Sequence, residues 1–204
     1  MAVVDYYFYG ASPFTYLGHG ALMRAAERQG AEIVFKPVNL MTIWAVSGAV
    51  PPAQRPPVRQ RYRLVELQRI AEYRGLPINT KPKFWPTDTS LADQAVIALV
   101  EAGENPADYM QKVFAGVWAD ERELSDRAVV ASMLSDCGFD ADAILERAAS
   151  DDIAAIRDRN SEDAVAADAV GVPAYVLNGE VFWGQDRIDL LEHALKTGRA
   201  PYTP

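Results

Sequence analysis

The stretch Tyr9-Gly10-Ala11-Ser12-Pro13-Phe14 puts a hydroxyl between an apolar run, VVDYYF, and an aromatic-rich segment with helical spacing. Serine is a good N-cap, and proline suits the first helical turn because its missing N–H costs nothing there. On its own the pair marks an ordinary helix start. A second pattern, Gly171-Val172-Pro173, stands directly before the apolar run AYVL, where proline could simply end one element and open the next. Other chemistry-bearing residues are sparse. The chain has one cysteine, Cys137, and two histidines, His19 and His193. One cysteine can form neither an intrachain disulfide nor a C-x-x-C redox pair, and its apolar-periodic setting predicts a buried, inert thiol. His19 and His193 read as packed or exposed helix residues. With no His/Cys cluster, no H-x-x-x-H and no Gly-rich phosphate loop, no metal site is expected.

The elements that must position these residues can be read from periodicity. Residues 3 to 9 predict a buried strand, residues 13 to 29 a helix stopped by Gly30, and AEIVFKPV a second strand. Strand, helix, strand at this spacing is a right-handed parallel crossover. A Pro-rich loop is expected from Val46 to Pro57, then a helix over 58 to 74 closed at Gly75, then an irregular loop, PINTKPKFWPTDTS. Ser90 to Ala169 reads as four or five helices. The chain ends with GVPAYVL, an Asn-Gly turn, EVFWG and a closing helix, which is a hairpin followed by a helix.

The 204 residues suffice for one large domain or one domain with an insertion. A net charge of −8 argues against nucleic acid or an anionic membrane as partner. No apolar run reaches membrane-spanning length, and the start MAVVDYYFYG lacks the basic opening of a signal peptide, so a cytoplasmic location is expected.

The order β-α-β, helical block, β-β-α is the layout of a thioredoxin-like α/β fold with an inserted all-helical domain. Residues 1–75 and 170–204 would form the discontinuous thioredoxin-like part, and residues 76–169 the insertion. Such folds place a reactive sulfur at the N-terminus of the first helix, where backbone N–H groups and the helix dipole stabilise a thiolate. Here that place holds Ser12. A serine hydroxyl is too weak an acid to ionise there, but it can donate a hydrogen bond to a thiolate brought in by a ligand, with glutathione the expected one. Val172-Pro173 then falls where the fold carries a cis-proline loop, whose preceding residue can pair with an extended peptide.

The segments YFYGASPFTYL, LVELQRIAEYRGLP and GVPAYVLNGEVFWGQDRIDLLE together resemble the 2-hydroxychromene-2-carboxylate isomerases, relatives of the kappa-class glutathione transferases in the DsbA-like branch of the thioredoxin superfamily. The resemblance spans roughly residues 3 to 196. It implies glutathione as cofactor, with its thiolate near Ser12 and its backbone on Val172 at the Val172-Pro173 loop. The γ-glutamyl end would fall to Gln185 and Asp186, where Asp186 could equally act as an N-cap. Arg59 matches a position where the family usually has lysine; alone it would read as a solvated charge. The resemblance also implies an aromatic acid substrate, a role in aromatic catabolism and a homodimer. After Ser47-Gly48 the family commonly has asparagine and this chain has Ala49, which removes a donor and an acceptor and puts the substrate in question.

The isomerase chemistry is reversible thiolate addition to a conjugated acid, permitting rotation about a former double bond. Arg59 could hold the substrate carboxylate, and Phe14, Tyr16, Trp44, Trp85 and Trp183 could wall a flat ring, although each alone reads equally as core packing. A glutathione transferase shares every glutathione contact and stays open, as does a non-catalytic binding module. A disulfide oxidoreductase fails on the single cysteine.

Overall fold

The computed structural model describes residues 1–203. Its centre is a four-stranded sheet in the order β2-β1-β3-β4, built from β1 (Val3–Phe8), β2 (Glu32–Pro37), β3 (Ala174–Leu177) and β4 (Glu180–Trp183). β1 and β2 run parallel, joined by α1 (Pro13–Gln29), while β3 pairs antiparallel with both β1 and β4. The Asn178-Gly179 turn takes φ 51° and 84°, the left-handed pair that suits a two-residue hairpin. Gly30 and Gly75 stop their helices in the left-handed conformation, as expected.

Between the two halves of the sheet lie α2 (Leu40–Ser47), α3 (Pro57–Arg74), α4 (Ser90–Glu101), α5 (Ala107–Trp118), α6 (Arg127–Ser135), α7 (Ala141–Ala148) and α8 (Asp151–Ala166); α9 (Ile188–Thr197) closes the chain. The sequence marks no element between the second strand and the loop from Val46, and α2 occupies that stretch. Its segment, LMTIWAVS, is apolar nearly all round and so lacks an amphipathic signature, but Asn39 caps its start by accepting from Met41 N–H and Gly48 ends it.

One hydrophobic core crosses the expected domain boundary. Val4, Tyr6 and Phe8 of β1 share it with Phe114 and Trp118 of α5 and Leu145 of α7. α5 and α7 therefore bury the α1 side of the sheet, while α8 packs through Ala164 with Tyr7, Ile43 and Val176 on the other face. Cys137 packs at the edge of that core, where burial pushes its thiol up, away from thiolate chemistry.

Candidate functional site

Ser12 sits one short turn beyond β1. Its N–H donates to Tyr9 O at 3.0 Å, and its backbone is extended at φ −82°, as an N-cap requires. The hydroxyl oxygen accepts from Thr15 N–H at 3.2 Å. That contact uses a lone pair and leaves the hydroxyl proton to donate, so capping and donation to an anion are compatible on the same atom. Thr15, on the same helical turn, has a buried hydroxyl without a hydrogen-bond partner among the described residues.

The turn before Ser12 is held from below by α4 and α8. Gly10 is required there, because a Cβ would lie 2.6 Å from Asp93 Oδ1 and 2.9 Å from Thr89 Oγ1. Asp93, 1% exposed, accepts from the Thr89 hydroxyl at 3.2 Å and from Arg157 at 3.3 Å. Arg157 also donates to Val38 O at 3.2 Å, just past the end of β2. Burial pushes the Asp93 carboxyl up to about 7, while Arg157, Thr89 and the Gly10 backbone pull it back toward the charged form. No sequence pattern marked this pair; its polar residues sit in helices that read only as an apolar-periodic block.

The peptide bond between Val172 and Pro173 is cis. Tyr7 faces Ala174 in the β1–β3 register, so Pro173 and Val172 continue alongside the turn that leads to Ser12. Pro173 O accepts from Gly184 N–H at 2.8 Å. Neither the N–H nor the C=O of Val172 takes part in a backbone hydrogen bond among the described residues. Gly171 lies under the Trp183 ring: a Cβ there would meet Trp183 Nε1 at 2.9 Å. Trp183 itself is 52% exposed. A second cis bond, Trp85–Pro86, was not expected from sequence.

The expected γ-glutamyl residues separate. Gln185 is buried beneath Gly18 of α1, and its side-chain and main-chain oxygens both accept from Arg74, at 3.2 and 3.1 Å. Its amide is committed to fastening the turn. Asp186 is exposed and pairs with the neighbouring Arg187.

Beside Ser12, Phe14 and α3 enclose a cavity of about 330 Å³ whose wall includes Arg55, Arg59, Tyr62 and Arg63. Arg59 is exposed at its edge. Arg55 lies over the Trp44 ring, 5.6 Å from its centroid, and donates to Val50 O at 2.9 Å. Arg63 lies over both Trp85 and Trp118, at 5.4 and 5.6 Å. Burial, with Arg55 nearby, lowers the Arg63 guanidinium to about 10. Of the expected residues, Phe14 and Arg59 line this space, whereas Trp44 and Trp85 stand behind it, against Arg55 and Arg63. Tyr16 does neither. It is fully in the core and donates to Pro77 O at 2.7 Å, because residues two apart on a helix point in different directions. Arg55, Arg63 and Trp118 were missed by sequence reasoning; the four-residue spacing from Arg59 to Arg63 was the available signal for one of them.

A larger cavity of about 670 Å³ lies on another face of α1, against β2 and the start of α5. His19 borders it, stacked on Tyr6 with Nε2 bonded to Ala107 O at 3.0 Å, and burial lowers its pKa to about 4. It is a packed residue.

The chain resembles curated proteins along nearly its whole length. It is 29% identical over 202 residues to 2-hydroxychromene-2-carboxylate isomerase of Pseudomonas sp. (strain C18), covering 98% of this chain and 92% of that protein. The protein of that name from Sphingobium xenophagum is 26% identical, covering 94% and 97%. A solved structure of 2-hydroxychromene-2-carboxylate isomerase superposes with a TM-score of 0.80 at 27% identity, covering 96% of this chain and 95% of that one. A probable DsbA oxidoreductase from Streptomyces coelicolor shares the fold at a TM-score of 0.73 and 20% identity. The sequence profile of the DSBA-like thioredoxin domain matches residues 3–196. With its sheet order, its inserted helices and this match over nearly every residue, the chain belongs to the DSBA-like thioredoxin domain family.

Proposed function

We propose that this protein is a glutathione-dependent isomerase of 2-hydroxychromene-2-carboxylate or a similar unsaturated aromatic acid. The observation that carries the reading is a buried serine at the start of α1 whose hydroxyl proton is uncommitted, in a chain whose only thiol lies elsewhere in the core. The names of the full-length relatives point to the same reaction.

The residues present fit glutathione. When bound, it supplies the thiolate that adds to the conjugated acid and leaves after rotation. Ser12 Oγ–H and the first-turn N–H groups of α1 lower the energy of negative charge at that sulfur. The unpaired backbone of Val172 binds the tripeptide by strand-like pairing. Asp186, exposed beside the β4 turn and paired with Arg187 through one oxygen, would take an ammonium group on the other, whereas Gln185 acts through Arg74 on the turn itself. Phe14 and Tyr62 orient a flat ring beside the first turn of α1, Trp44 and Trp85 back the cavity through Arg55 and Arg63, and Arg59 offers a cation at its edge. Assembly as a homodimer belongs to this reading through the family resemblance.

The test is to mix enzyme and 2-hydroxychromene-2-carboxylate with and without glutathione and follow the absorbance of the open-chain product. Turnover that requires glutathione is expected; equal rates in both samples would sink the thiolate mechanism. A glutathione transferase is the second reading, favoured by Ala49, whose methyl group cannot make the polar contact of an asparagine. Release of a stable conjugate from a simple electrophile, with no isomerisation, would select it.

A further inference from the structure

We propose that Arg63, with Arg59 at the rim, forms the anion receptor that holds the carboxylate of a planar aromatic acid in the cavity between Phe14 and α3. The proposal deepens the isomerase reading by assigning the substrate's acid group to a residue that the sequence did not single out.

Arg63 is half-buried, and no carboxylate or carbonyl accepts a hydrogen bond from its side chain among the described residues. Glu66, the carboxylate on the same cavity wall, faces Arg69 at 3.4 Å. The strongest charged neighbour of Arg63 is another cation, Arg55. A desolvated cation without a counter-ion is costly, and the Trp85 and Trp118 faces offset only part of that cost. The two indoles take no hydrogen bond from the guanidinium, so its N–H donors remain for a bidentate partner, which is the geometry a carboxylate matches. The space is small. About 330 Å³ suits a one- or two-ring acid, at the low end of ligand cavities, and the tripeptide of the proposed reading is assigned to Val172 instead. Phe14 and Tyr62 beside an uncompensated guanidinium select a flat anion over a neutral ring of the same shape.

Binding can be read without turnover, from quenching of tryptophan fluorescence by cinnamate and by its neutral isostere cinnamamide. Cinnamate should bind the unmodified protein at least tenfold more tightly. Arg63→Gln should weaken cinnamate roughly 10- to 100-fold, as loss of a charge-assisted pair does, and leave cinnamamide unchanged. Arg63→Lys should recover part of the loss. Calorimetry of glutathione binding to the same variants should show no change. Equal affinity of the two probes for the unmodified protein would overturn the proposal, as would equal weakening of both in Arg63→Gln. A loss confined to glutathione would reassign Arg63 to the tripeptide's own carboxylate and equally overturn it. In turnover, Arg63→Gln should raise KM and leave kcat within a few-fold. Should the protein prove not to be an isomerase, the probe titrations still decide whether the receptor exists.

Discussion

Replacing Asp93 by Asn, and separately His19 by Phe, should tilt the pH dependence of stability in opposite directions. Burial raises the Asp93 carboxyl from 3.8 to about 7, so the folded state holds that proton more tightly than the unfolded chain. Its contribution is fully present below pH 3.8 and is lost as pH rises toward 7. A rise of that size corresponds to about 4 kcal/mol. His19 moves the other way, from 6.5 to about 4, because its ring must stay neutral where it is packed. Its contribution is full above pH 6.5 and is lost as pH falls toward 4, by about 3 kcal/mol. Between pH 4 and 6.5 the two slopes oppose and nearly cancel. Asp93→Asn removes one of them, so relative to the unmodified protein its stability should rise by about 4 kcal/mol between pH 4 and 7.5. His19→Phe should gain about 3 kcal/mol relative to the unmodified protein on going from pH 7 down to 4. A constant offset, such as that of exchanging a neutral carboxyl for an amide beside Thr89, drops out of this comparison. Urea unfolding at half-unit pH steps, followed by tryptophan fluorescence, measures all three curves. Parallel curves, differing by less than about 1 kcal/mol across the range, would refute the assignment of these two titrations.

Ser12→Ala should raise the pKa of bound glutathione by about one unit, because one hydrogen bond to a charged group contributes about 1.5 kcal/mol; thiolate absorbance against pH reads it, and an unchanged titration would remove Ser12 from the mechanism. Tyr16→Phe should cost about 1 kcal/mol through its bond to Pro77 O and leave KM for the aromatic acid untouched; a raised KM would return Tyr16 to the cavity wall. Ala49→Asn should increase kcat/KM for 2-hydroxychromene-2-carboxylate if the lost polar contact had narrowed the substrate range, and an unchanged value would free that position from substrate choice.

The elements legible in the sequence were those whose signals are local. α1 begins at Pro13 and stops before Gly30 because a capping serine and a left-handed glycine bracket it. The hairpin follows from Asn178-Gly179. What could not be read depends on residues far apart in the chain. Asp93 and Arg157 stand 64 positions apart and meet only when α4 and α8 pack under the Gly10 turn. Trp85 and Trp118 are brought together by an irregular loop and a core helix, and Arg63 is caught over both. Tyr16 and Phe14 are both aromatic and two residues apart, yet one faces the core and the other the cavity. Helical rotation separates them, and composition alone could not.

The same rotation explains why a serine serves at the head of α1. The hydroxyl oxygen closes the helix by accepting from Thr15 N–H, and its proton points to whatever anion the helix end attracts. A cysteine at that position would bring its own nucleophile and, with it, disulfide chemistry. Serine keeps the electrostatics of the position and discards the redox couple; in the proposed function the sulfur arrives with a ligand and departs with it. Gly10, Thr89, Asp93 and Arg157 hold the turn that aims this hydroxyl, and the Arg63 cavity opens on the other side of Phe14. An imported thiol at Ser12 and an anionic ring in that cavity would therefore approach each other across the first turn of one helix, which is the juxtaposition that reversible addition to a conjugated acid requires.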